Sequence, residues 1–217
     1  MGSPQPIALE TLAPITAEQD GFVTAAQALK VGVDYSRIVR LASDGYLERV
    51  EHGVYRVAVG TPVAPRVAED LYIKYLALDA KRLPWNKDEP AVVVSHESAA
   101  SLIGIGTFPA DEAVFTSERR RSTTLSAHIW MAPLPAVDWS YRELGRIPVT
   151  TAARTVVDMA FVGIERDYVV RALHDAIELR LATLDDVADV IDRRRRSSRR
   201  HSIAWLAKEI DGRRRRS

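Results

Sequence analysis

The chain reads as an α+β protein built from two domains. Three observations carry this reading. Residues 21–57 run in the order helix, turn, helix and hairpin. Short apolar runs at 91–94, 113–116 and 128–131 have the length and composition of buried strands. From residue 150 onward, apolar side chains recur at helical spacing. Between the first two blocks lies Gly60-Thr61-Pro62-Val63-Ala64-Pro65, a proline-rich joint of the kind that separates domains. The expected division is residues 1–62 and 63–217. The first is a winged helix-turn-helix, and the second a mixed α/β domain with few short strands and several helices.

The N-terminal elements follow from local chemistry. Ile7, Leu9 and Leu12 suggest a short helix around 7–12, ended by Pro14. Thr24 is a good helix N-cap, and Gln27 three residues on completes a capping box. The helix that follows, about 24–30, directs Ala25, Ala28 and Leu29 inward. Val31-Gly32-Val33 is the turn, with glycine permitting a left-handed backbone. Asp34 caps a second helix, about 35–44, whose inward stripe is Ile38, Leu41 and Ala42. Its opposite face carries Ser36, Arg37 and Arg40. An arginine placed there reaches guanine O6 and N7 with two bonds, or a phosphate. Tyr35, at the helix start, reaches phosphate through its hydroxyl. Glu51-His52-Gly53 turns a hairpin, the wing, and brings Arg49, His52 and Arg56 forward as candidate DNA-backbone contacts.

The second block opens with a helix over about 66–82. Ser95 follows the strand at 91–94 and caps a helix from Glu97 to Ile103. A brief extended piece at 146–149 leads to a helix capped by Thr150-Thr151. Within it Arg154 and Asp158 stand four apart, the spacing of an intrahelical ion pair. Val169, Leu173, Ala176 and Ile177 mark the inward face of the next helix. Thr183 with Asp186 makes a capping pattern for another, about 184–192. Ile203, Leu206 and Ile210 give a last amphipathic helix.

The 217 residues are 47% hydrophobic and 27% charged, an ordinary globular composition. No apolar run has membrane-spanning length, and the N-terminus lacks the pattern of a signal peptide, so the expected location is the cytoplasm. The absence of cysteine excludes disulfides and thiolate metal sites. No cofactor is expected. The net charge of +1 conceals an asymmetry. Residues 1–60 carry 5 basic and 7 acidic side chains, 61–192 carry 14 and 20, and 193–217 carry 11 and 2. The positive charge therefore lies in an Arg-rich tail (193–217) that includes Arg193, Arg194, Arg195, Arg196, Arg199 and Arg200. Such a tail binds nucleic acid by counterion release, binds an acidic partner, stays solvated, or folds back on the acidic middle of its own chain.

Enzymatic readings fare poorly. Ser95, His96 and Glu97 are adjacent in sequence, whereas a catalytic triad converges from separate elements. Glu209-Ile210-Asp211-Gly212 sits on an amphipathic helix without the frame a metal needs. There is no GxxxxGK[ST] phosphate loop.

The runs GFVTAAQALKVGVDYSRIVRLASDGYLERVEHGVYRV, VSHESAASLIGIG and GRIPVTTAARTVVDM resemble antitoxins of the AbiEi family over roughly residues 18–180. The resemblance implies a type IV toxin–antitoxin system. Its winged helix-turn-helix would bind inverted repeats in the promoter of its own operon, as a transcriptional repressor, with two molecules on one site. Its C-terminal domain would counter a nucleotidyltransferase toxin encoded beside it, with or without contact. An alternative stands beside this: a protein-interaction module that docks the toxin directly and does not read DNA.

Overall fold

The computed structural model describes residues 4–58, 67–86, 89–108, 112–142, 147–197 and 203–215. The fold is α+β. It separates into two compact units, Met1–Val92 with Glu143–Ile147, and Val93–Arg142 with Pro148–Ser217. The proline-rich joint that sets the expected boundary at residue 62 lies outside the described residues, and the first unit continues past it.

In the first unit, α1 (Pro4–Glu18), β1 (Phe22–Thr24), α2 (Ala25–Lys30), α3 (Tyr35–Ser43), β2 (Leu47–Glu51), β3 (Val54–Val57) and α4 (Val67–Leu78) follow in order. The three strands form one antiparallel sheet, β1-β3-β2, with a register shift between Arg49 and Glu51. The core beneath it joins Leu12 and Ile15 of α1 to Ala28, Val33, Ile38, Leu41, Leu47 and Tyr55.

The capping box forms as the sequence implies. Thr24 Oγ1 accepts from the Gln27 amide at 3.0 Å, and Gln27 Oε1 accepts from the Thr24 amide at 2.9 Å. Thr24 also donates to the Ala80 carbonyl, tying α2 to the segment after α4. Thr24→Ala will cost about 1–2 kcal/mol, read as a lower denaturant midpoint. Thr24→Ser keeps the hydroxyl and recovers most of that loss.

Two expectations need correction here. Pro14 does not end α1 but lies inside it. Proline removes the amide that would bond the Glu10 carbonyl. Glu10, Ala13 and Pro14 all face solvent, so the carbonyl is not left in a dry interior, while Leu12 and Ile15 hold the helix to the core. Leu29 points outward, 66% exposed. Gln27 takes the inward place instead, because its amide bonds both Gln19 and the Arg82 carbonyl. Residues 22–24 form a short strand through pairing with β3, an element that the sequence reading did not contain.

In the second unit, five strands stand in the order β6-β5-β4-β8-β7. They are β4 (Val93–Val94), β5 (Ala113–Ser117), β6 (Ala127–Met131), β7 (Trp139–Arg142) and β8 (Ile147–Thr150). β4 is antiparallel to β5 and parallel to β8, and β5 runs parallel to β6. The helices are α5 (His96–Ile103), α6 (Ala152–Val162), α7 (Arg166–Glu178), α8 (Leu184–Ser197) and α9 (Ala204–Arg214). Every residue from Ala152 to Phe161 is buried, so α6 is the central helix. Thr151 caps it, and Thr183 with Asp186 forms the reciprocal cap of α8. Ile203, Leu206 and Ile210 are buried as their spacing implies.

Ser95 does not cap α5 with its side chain. Its hydroxyl accepts from Thr116 of β5 at 2.8 Å and contacts His96 Nδ1 at 2.9 Å. With Thr116 donating, the Ser95 proton is available to Nδ1, an arrangement that requires a neutral imidazole. His96 is buried with its backbone in the left-handed region, φ 52°, and its ring lies 5.6 Å from that of Trp130.

Burial pulls the His96 pKa down to about 4; Asp158 opposes the shift, and Arg154, Arg194 and His128 reinforce it. The unfolded chain takes up this proton near pH 6.5, the folded chain only near pH 4. The unfolded state therefore binds more protons between these values, and stability falls as the pH drops through that window. Between about pH 7.5 and 5 the loss will be roughly 2 kcal/mol. Denaturant titrations at the two pH values measure it. His96→Asn, which tolerates the left-handed backbone, will flatten this slope.

Candidate nucleic-acid interface

The outward face of α3 is set by what its inward face must bury. Ile38 and Leu41 are 0% and 1% exposed, which leaves Tyr35, Ser36, Arg37, Val39 and Arg40 in solvent. Asp34 caps the helix, accepting from the Arg37 amide at 2.9 Å and from the Ser36 hydroxyl at 2.6 Å. The Ser36 hydroxyl and then the Arg37 amide hold the Asp34 carboxyl below its usual value. Ser36 thus spends its proton on Asp34 and keeps its lone pairs free to accept.

The wing stands beside this face. Arg49 Nη2 lies 3.0 Å from His52 Nδ1, and because a guanidinium can only donate, Nδ1 accepts and the ring proton is on Nε2. Burial, and then a hydrogen bond with Tyr35, raises the pKa of Tyr55, and Arg49 opposes the rise. The start of α3 therefore meets the sheet through Tyr35 and Tyr55, close to Arg49. Glu51 is turned back onto the His52 amide at 2.6 Å.

Arg56 is placed differently. Its guanidinium bonds Glu48 at 2.8 Å and Glu69 at 2.9 Å, and lies 6.0 Å from the Phe22 ring. It joins the hairpin to α4. The other six candidates, Tyr35, Ser36, Arg37, Arg40, Arg49 and His52, are exposed on α3 and the wing.

Helix, turn, capped second helix and wing together make the arrangement of a DNA reader. Residues 10–58 match the family of transcriptional regulators described as AbiEi antitoxins. That match runs from within α1 to just past β3, and so takes in α2, α3 and the three strands of the winged helix. No curated protein matches the chain. The AbiEi match ends at Ala58, so the likeness of VSHESAASLIGIG and GRIPVTTAARTVVDM to this family rests on the sequence resemblance alone.

Two residues escaped the sequence reading of the AbiEi segment. Val39, 45% exposed, sits one turn from Tyr35 on the outward face. Apolar side chains on a recognition helix are suited to a thymine methyl group, and the i+4 spacing from Tyr35 was the available signal. Tyr55 underlies Tyr35, a tertiary neighbour that no spacing announces.

The basic segment does not begin as a free tail. Arg193 and Arg194 lie in α8, which continues to Ser197. Arg193 Nη2 is 2.6 Å from Asp138, and Arg194 Nε is 3.0 Å from Asp158. Asp138 and Asp158 also hold Arg154, at 2.6 and 2.7 Å, with all three side chains buried. Arg194 stacks 4.9 Å from the Phe161 ring. The acidic partners come from α6 and from the 3-10 turn Ala136–Asp138. The side chains of Arg195 and Arg196, and all of Arg199 and Arg200, lie outside the described residues. Among the described residues, no His, Asp and Glu side chains group as a metal site, and no helix is long and apolar enough to cross a membrane.

Proposed function

We propose that the chain is an antitoxin whose first unit binds inverted repeats in the promoter of its own operon and represses it. The carrying observation is the solvent face of α3: Arg37 and Arg40 stand unburied on a helix whose other side is locked into the core. Arg37, Arg40 and Ser36 read base edges. Ser36, its proton held by Asp34, accepts from an adenine or cytosine amino group. Tyr35, Arg49 and His52 contact the DNA backbone. Arg56 supports the wing through Glu48 and Glu69 and reaches phosphate only if those pairs open. Two molecules occupy one repeated operator. The remainder of the chain, from residue 63, counters a nucleotidyltransferase toxin.

Support comes from the family description of the matching segment, a transcriptional regulator and antitoxin, and from the exposure of six of the seven candidate contacts. A gel-shift assay with the fragment upstream of the coding region tests the reading, run from about 50 to 200 mM salt. A retarded band whose affinity falls linearly on a log–log salt plot is the expected result. Absence of retardation by the wild-type protein refutes it and leaves a protein-docking role for the winged helix. Removing residues 193–217 is a poor probe of the basic segment, because Arg193, Arg194, Ile203, Leu206 and Ile210 build the second unit. Arg199→Gln with Arg200→Gln tests it instead. If these residues contribute non-specific affinity, the magnitude of the salt slope falls by about one to two.

A further inference from the structure

The second unit carries a solvent-facing groove of about 520 Å³ that the DNA reading does not use. Aromatic rings and carboxylates share its lining. Trp130 of β6 and Tyr168 of α7 are 38% and 41% exposed, large rings left in water. The Trp130 ring rests against those of His96 and His128, at 5.6 and 4.5 Å. Phe108 packs 5.9 Å from Tyr168. Its ring is seated by Gly106: a Cβ at that position would come within 2.5 Å of it, and the Gly106 amide is anchored to Asp175 at 2.7 Å. The aromatic walls are thus held in place from behind.

Three carboxylates line the same groove, on Glu97 of α5, on Glu112 ahead of β5, and on Glu165 at the start of α7. Among the described residues none of them has an ion-pair or side-chain hydrogen-bond partner. Glu165 stands at the N-cap position of α7 without bonding its free amides. Aromatic faces attract cations through the ring quadrupole, and carboxylates pair with them. The same carboxylates repel phosphate, so the lining disfavours nucleic acid.

We propose that this groove docks an arginine-bearing segment of a basic protein partner. Its guanidinium groups stack on Trp130 and Tyr168 and pair with Glu97, Glu112 and Glu165. Arginine suits the site better than lysine, because a planar guanidinium stacks on a ring and forks onto a carboxylate at once. A polypeptide is favoured over a free cation because one solvent-exposed cation–π contact is weak, and a chain presents several cations together. The inference is independent of whether the first unit binds DNA.

The test is calorimetric titration of the full chain with an acetylated, amidated hexa-arginine peptide, with arginine ethyl ester in parallel. The peptide is expected to bind and the ester to bind far more weakly. Trp130→Ala, Tyr168→Ala and the pair Glu97→Gln/Glu165→Gln should each weaken binding about tenfold or more. The pair Glu178→Gln/Asp189→Asn removes the same charge outside the groove and should leave binding within about twofold. Circular dichroism checks that each variant folds, and Tyr168→Ala serves if loss of Trp130 disturbs His96. The proposal is overturned by absence of peptide binding, by equal losses in the two charge-neutralised pairs, or by ester binding as tight as peptide binding.

Discussion

Arg154→Ala will destabilise the second unit by about 3–5 kcal/mol. Arg154 is 0% exposed in the first turn of α6, with Asp138 at 2.6 Å and Asp158 at 2.7 Å. Replacing it leaves two buried carboxylates with Arg193 and Arg194 alone, and opens a cavity where the longest fully buried side chain stood. Desolvated charges that lose a partner cost more than the pair itself contributed. Arg154→Met keeps most of the volume and isolates the electrostatic part. The change is read as a lower denaturant midpoint at unchanged slope. A loss under about 1 kcal/mol would mean that water reaches the carboxylates and that the cluster is not buried in solution. A double-mutant cycle with Asp158→Asn adds a second reading. The two losses will not sum, because both residues belong to one network.

The second large effect is on DNA. Arg37→Ala and Arg40→Ala will each weaken operator binding by about 1–3 kcal/mol, and the double variant by on the order of a hundredfold or more. Both side chains are exposed, so stability should stay within about 0.5 kcal/mol of wild type. That separation between binding and stability is what distinguishes a contact from a structural residue. Arg56→Ala should behave the opposite way: it breaks the bonds to Glu48 and Glu69, so a stability loss precedes any binding loss. If Arg37→Ala/Arg40→Ala leaves both affinity and operator preference intact, α3 is not the reading helix.

The basic C-terminal segment changes meaning in the fold. By composition it looks like a reservoir of positive charge, but its first two arginines neutralise buried aspartates. Burial pulls the Arg194 pKa below its ordinary value, while Asp158 holds the charge in place. Charge counted along a sequence therefore overstates the cation available to a nucleic acid.

What the sequence by itself determined is local. The Thr24–Gln27 box, the Asp34 cap, the Thr183–Asp186 cap and the Arg154–Asp158 pair all close within three or four residues, so residue type and spacing suffice to predict them. The inward stripe of α3 follows from the same periodicity, and with it the outward face of Arg37 and Arg40. Tertiary structure alone decided whatever depends on partners distant in the chain. β1 exists because Phe22–Thr24 meets β3, and Leu29 faces out because Gln27 finds bonds with Gln19 and Arg82. Ser95 leaves its cap because Thr116 reaches it from β5. Asp138, which no motif announced, completes the Arg154 cluster from a 3-10 turn, and the arginines of α8 close it. Burial makes these long-range choices, since a polar group removed from water must take whatever partner the packing brings within reach.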